Sequence, residues 1–195
     1  PPFVAYACAS GLSDLFAAMG DAAAPTYVTF LPMLRSGFEA AMASRAYKLA
    51  SVTLGALASL AAAVSAATFA PDAEAVVAPL VGLLVQQKAM LHDVGLLEPM
   101  HSALAKLAGA IGAAFQPYMA QVLPQLLEMA TIEPESSADV VEEVRQEEED
   151  SGWDTTYVQR KDGGYVRVRV LSGSMNEKVL GTGALFEYAQ ALGAA

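Results

Sequence analysis

The sequence is poor in the residues from which reactive centres are usually built. It holds one cysteine and two histidines among 195 residues. A lone Cys8 excludes an intramolecular disulfide framework and suits a reducing compartment, and its expected place is as a small buried apolar residue on the first helix. His92 and His101 have no cysteine near them, so zinc-ligand spacing is absent and each is expected at the surface or at a helix end. Serines are plentiful, but no GxSxG-type elbow or histidine partner accompanies them, which leaves nucleophilic catalysis without a basis. The GlyThrGly at 181–183 follows no strand and lacks the third glycine of a dinucleotide fingerprint, so close helix packing is its expected role. No enzyme activity, cofactor or metal is expected.

Positive charge is also scarce. Eleven lysines and arginines stand against 21 acids, a net charge of −10. No basic stripe exists to neutralise phosphates, which argues against nucleic acid as a partner. The acidity is uneven: residues 133–162 hold eleven acids and three bases, a balance of −8, and leave about −2 for the rest. The helical part is nearly neutral and the acidity sits in an insert, which favours a basic partner.

One long run, from Leu49 to Pro71, carries no charge. It is mostly alanine, serine, threonine and glycine, with few large apolar side chains. Small residues on every side suit a helix sandwiched between neighbours better than one facing lipid, so no membrane span is expected.

What the chain does contain is repetition. ProThrTyrValThrPheLeuProMetLeu opens at Pro25, ProAspAlaGluAlaValValAlaProLeu at Pro71, and ProTyrMetAlaGlnValLeuProGlnLeu at Pro117. Each phrase follows an Ala/Leu/Gly stretch that reads as another helix, giving a helix pair about every 46 residues, the period of HEAT and armadillo arrays. Helices are expected over about 3–19, 25–42, 45–67, 71–90, 98–114 and 117–130, with Pro71 in a first-turn position. The inner prolines Pro32, Pro79 and Pro124 recur at one place in three units, so any bend they cause belongs to the repeat. Arrays of this kind work through an extended surface, here the polar positions on the second helix of each pair.

From Glu133 the pattern changes. The acid-rich stretch to Asp150 is expected to be loop or disordered. Alternating segments at about 153–160 and 165–171 then flank LysAspGlyGly, a strong β-hairpin signal. Ser174 with Glu177 reads as a capping box opening a last helix. The organisation is therefore three helix pairs over 1–132, an acidic linker plus hairpin over 133–172, and the first helix of a further repeat over 173–195. A start at ProProPhe and an end on an unpartnered helix lead to the expectation of a segment of something longer.

The ordered text PheGlnProTyrMet, LeuProGlnLeuLeuGluMetAla, ThrIleGluPro, acids, GlyTrpAsp, hairpin, MetAsnGluLys, AlaLeuPheGluTyrAlaGlnAlaLeuGly resembles the central part of importin-β-type nuclear transport receptors, the karyopherin-β family. The class it is most similar to is karyopherin-β3, or importin-5. The resemblance runs from about Val94 to Ala191. It implies an all-α HEAT-repeat superhelix with one β-hairpin insert. It also implies a carrier of cargo bearing basic localisation signals, Ran-GTP-dependent release, passage along FG-nucleoporins, and shuttling between cytoplasm and nucleus.

Candidate cargo-contacting residues are the acids and amides of the second helices, Glu39, Glu74, Gln121, Gln125 and Glu128. To these are added the acid run Glu142, Glu143, Glu147, Glu148, Glu149 and Asp150, an electrostatic lure for a basic ligand, and Trp153, expected to anchor the hairpin to the helices. The alternative is a HEAT scaffold or adaptor for complex assembly, unrelated to transport.

Overall fold

The computed structural model describes residues 2–133, 135–141, 144, 153–161 and 163–193. They form two compact units, one of residues 1–124 with 184–195 and one of residues 125–183. The helices are α1 (Pro2–Met19), α2 (Ala24–Ala43), α3 (Tyr47–Ala63), α4 (Ala66–Gln86), α5 (Lys88–Asp93), α6 (Leu97–Ile111), α7 (Gln116–Thr131) and α8 (Ser172–Gly193). The strands are β1 (Ser136–Val141), β2 (Trp153–Gln159) and β3 (Tyr165–Leu171).

In the first unit α3 is the keystone. It packs on α1, α2 and α6, while α4 packs on α6. Its composition explains this: Ala50, Leu54, Ala56, Leu57, Ala58, Leu60 and Ala61 are all buried, covering every side of the helix. Alanines let neighbouring backbones approach, and leucines fill what remains. The uncharged run from Leu49 is broken after Ala63, because Val64 is extended and the Ser65 side chain accepts a hydrogen bond from the Thr68 amide to cap α4. Pro71 therefore lies inside α4 instead of opening it, a correction to the sequence reading. The cap decides the boundary, since a serine acceptor satisfies an otherwise orphaned amide. The segment Ala66–Gln86 meets the length and composition of a membrane span, yet Val77, Leu80, Val81 and Leu84 are buried within the protein.

α1 is covered on fewer sides. Ala9 and Phe16 are buried while Val4 and Leu15 remain exposed, and Cys8 is exposed too, contrary to expectation. At the other end of the unit, Tyr188 of α8 is buried beside Phe115 and His101.

In the second unit the sheet has three antiparallel strands in the order β1-β3-β2. Gly163, at φ 92°, turns β2 into β3, and Asp162 lies outside the described residues. β1 falls in the stretch expected to be loop; Ser136 to Val141 pairs with β3 from Val170 back to Tyr165. Ser174 sits inside α8 and its hydroxyl donates to the Leu171 carbonyl, so the capping box is not formed. Within the same unit, a Cβ on Gly181 would lie 2.6 Å from the Met129 Cβ and 2.8 Å from the Ala130 nitrogen. That contact between α7 and α8 is the close helix packing the sequence suggested.

Candidate binding surface

The second helices of the first unit, α2 and α4, enclose an apolar groove. One cavity of about 330 Å3 is walled by Phe38 and Met42 of α2 and by Val76, Pro79, Leu80 and Leu83 of α4, with Leu57 of α3 as floor. A second, of about 260 Å3, continues it along Tyr27, Val28, Leu31 and Pro32 toward Asp72. Arg35, Ala75 and Val76 line both, so the two form one groove. Lining residues advance together on the two helices, which therefore run side by side in the same direction.

Charge on this groove is sparse and fixed. Arg35 pairs with Glu39 at 3.2 Å, one helical turn on. The Tyr27 hydroxyl donates to Asp72 at 2.8 Å. Burial first, and the Asp72 carboxylate next, push the Tyr27 phenol well above its ordinary range, so it stays a donor. Tyr27 is buried, and with Asp72 it ties α2 to α4.

A second polar feature joins the first helices of the pairs. Ser13 of α1 and the buried Ser59 of α3 are hydrogen-bonded at 3.0 Å, and Lys106 of α6 donates to Ser59 at 3.4 Å. Ser13 and Lys106 border a cleft of about 260 Å3 with Asp14, Ser51 and Ser102. His101, expected near the surface, is buried, and neither ring nitrogen finds a hydrogen-bond partner among the described residues. Burial, reinforced by the Lys88 charge, lowers its pKa to about 4, so the ring is neutral at pH 7. It meets Tyr188 edge to face at 6.2 Å. His92, by contrast, is exposed at the end of α5 beside Asp93.

The sequence candidates fall in different places. Glu39 and Glu74 are exposed on α2 and α4 of the first unit. Gln121 on α7 is exposed, its amide reaching the Pro117 carbonyl. Gln125 and Glu128, also on α7, belong to the second unit. Glu142, Glu143, Glu147, Glu148, Glu149 and Asp150 lie outside the described residues. Trp153 is half-buried at the start of β2, with the Arg169 guanidinium 5.1 Å above its ring. On the neighbouring strand Arg167 donates to Asp139 at 3.2 Å. What the sequence reading missed is the apolar groove, although Phe38 and Met42 stand at the i, i+4 spacing that signals one helix face.

No protein-family model and no curated protein matches this sequence. Structure comparison does find likenesses. The chain superposes over 98% of its length on Kap121p bound to Ste12p, with a TM-score of 0.75 at 18% identity. Kap121p bound to RanGTP gives 0.73 at 18% identity, and Kap121p bound to Pho4p gives 0.67 at 20%, each again over 98% of this chain. The fold is that of a karyopherin HEAT array with a β insert. The chain spans 17% of the length of each of these Kap121p chains. Hydrogen bonds between residues 45, 46 and 47 positions apart show the repeat period directly in the karyopherin fold.

Proposed function

We propose that this chain is a middle segment of a nuclear import receptor of the karyopherin-β3 or importin-5 class. In this reading it contributes part of the surface that holds cargo with a basic localisation signal, and no bond is made or broken. The observation that supports it is the likeness to Kap121p over 98% of the chain, a protein solved with Ste12p, Pho4p and RanGTP bound.

The mechanism is reversible charge pairing on a scaffold of stacked helices. Glu39 and Glu74 present carboxylates on α2 and α4, and Gln121 adds an exposed amide oxygen on α7, whereas the Gln125 amide oxygen is buried. Lysine and arginine of a signal would meet these groups, with the acid run from Glu142 to Asp150 raising the rate of encounter. Stacked helix pairs touch only their neighbours, so small rotations add along the array and let it wrap or release a ligand. Ran-GTP, FG-nucleoporins and shuttling between cytoplasm and nucleus belong to the whole receptor.

A lysine-rich signal peptide immobilised on beads tests the reading. A receptor carrying this chain is expected to be captured and then released by Ran-GTP; failure of either step contradicts transport. A non-transport scaffold is the second reading, favoured by the apolar α2/α4 groove, which suits a folded partner.

A further inference from the structure

The outer edge of β1 carries main-chain groups that the sheet does not use. The Leu171 amide donates to the Glu135 carbonyl at 2.9 Å, and the register continues from Ser136 opposite Val170 to Val141 opposite Tyr165. In an antiparallel ladder, pairs that exchange hydrogen bonds alternate with pairs that do not. Glu135, Ser137, Asp139 and Val141 therefore turn their amides and carbonyls toward β3. Those of Ser136, Ala138 and Val140 point away from it, on the open side of an edge strand, and all three residues are exposed. Among the described residues these outward groups meet no partner. Edge strands are commonly blunted by a proline, a lysine or a bulge, and Ser136–Val141 has none of them. Its single charge, Asp139, is taken up by Arg167.

The side chains beside the edge narrow what would lie there. On one face β1 presents Ser136, Ala138 and Val140, continuing the face on which β3 has Val166, Val168 and Val170 and β2 has Val158. Val140 is 67% exposed and Val158 53%, so this face has apolar surface left to cover. On the other face stand Ser137, Asp139 and, just ahead of the strand, Glu135. The Glu135 carboxylate has no ion-pair partner among the described residues. A strand laid on the edge would meet Glu135 in a pair that exchanges no hydrogen bonds, the kind in which side chains approach most closely. A cation fits that place.

We propose that the β1 edge accepts an extended segment of a partner protein as a further antiparallel strand. The segment carries β-branched residues opposite Ser136, Ala138 and Val140 and a lysine or arginine opposite Glu135. Only an extended backbone offers donors and acceptors at the alternating spacing of the edge, so the open groups themselves select this occupant over a helix. A second copy pairing through its own β1 would bring another Glu135 and a net charge of −10 to the same edge, which opposes it. The inference does not rest on the transport reading. It differs from a basic-signal site in requiring β-branched residues in alternation and only one cation.

The probe is a fluorescein-labelled ValThrValThrValLys peptide flanked by glycine and serine, and its fluorescence anisotropy is read with the full 195-residue chain. Antiparallel pairing sets its third residue opposite Ala138 and its lysine opposite Glu135. Methylating the backbone nitrogen of that third residue is expected to weaken binding at least about tenfold; methylating the fourth, whose N–H points away from β1, should change it by less than about twofold. Ala138→Pro removes the outward N–H without breaking a bond of the β1–β3 ladder, and is expected to give the same loss. Trp153 emission during denaturation shows whether the sheet survives that change, and the pair of methylated peptides decides the matter if it does not. Glu135→Lys is expected to weaken the lysine peptide and to favour one ending in glutamate. No binding of the unmethylated probe, equal losses from the two methylations, or full binding by a folded Ala138→Pro chain would each overturn the inference. So would a dimer of the chain alone, seen by sedimentation and dispersed by Ala138→Pro, since the edge would then belong to a second copy.

Discussion

The Tyr27 hydroxyl reaches Asp72, its neighbour one repeat later, with a 2.8 Å hydrogen bond across 45 residues of sequence. Ser13 and Ser59 repeat the arrangement on the first helices at a separation of 46, and Lys106 extends it at 47. Each bond joins helices from consecutive pairs, so the repeat is held by polar staples as well as by its apolar core. Replacing Tyr27 by phenylalanine leaves the shape intact but deprives Asp72 of its donor. Chemical denaturation should show a loss of about 1–2 kcal/mol, with a coupling to Asp72→Asn in a double-mutant cycle.

His101 makes stability sensitive to acid. Its folded pKa of about 4 lies below the ordinary 6.5, so the unfolded chain takes up the proton first as pH falls. The associated stability is fully present above pH 6.5, declines below it, and is gone below about pH 4, a total of about 3 kcal/mol. Denaturation midpoints measured across that window should fall for the wild type. They should fall less for His101→Leu, which cannot protonate.

Gly181 has no room for a side chain. Gly181→Ala forces the added methyl onto Met129 and Ala130 and should cost about 1–3 kcal/mol. Gly183→Ala meets nothing within 4 Å and should be neutral or slightly stabilising, because alanine is the better helix former. Thermal melts of the two variants give the comparison.

Within the sheet, Arg169 stacks on Trp153 at 5.1 Å. Arg169→Ala should weaken the hairpin by about 0.5–1 kcal/mol. Trp153 fluorescence during denaturant unfolding should report an earlier transition.

Most of the helix pairing was legible because two signals agreed: prolines at a fixed interval and an apolar pattern at helical spacing. Boundaries set by a single capping bond were not. Ser65 and Thr68 moved the start of α4 ahead of Pro71, and Ser174 turned its hydroxyl back to Leu171 instead of capping. β1 was missed because Ser136 to Val141 is polar and mostly exposed, and becomes a strand only through its partner β3. His101 is buried against Tyr188, and no local pattern announces a contact between residues so far apart. Among the candidate site residues, Glu39 and Glu74 lie where the sequence placed them, on exposed faces of α2 and α4. The groove beside them is made by three helices and is invisible to any one.

We propose that this HEAT array holds basic ligands through the acids of its second helices. Fluorescence anisotropy of a labelled lysine-rich localisation peptide, titrated with the chain at low salt, tests it most directly. Binding that weakens about tenfold in the Glu39→Lys, Glu74→Lys, Glu128→Lys variant, and that falls with added salt, is the predicted result. No binding, or binding indifferent to both charge reversal and salt, would contradict the account.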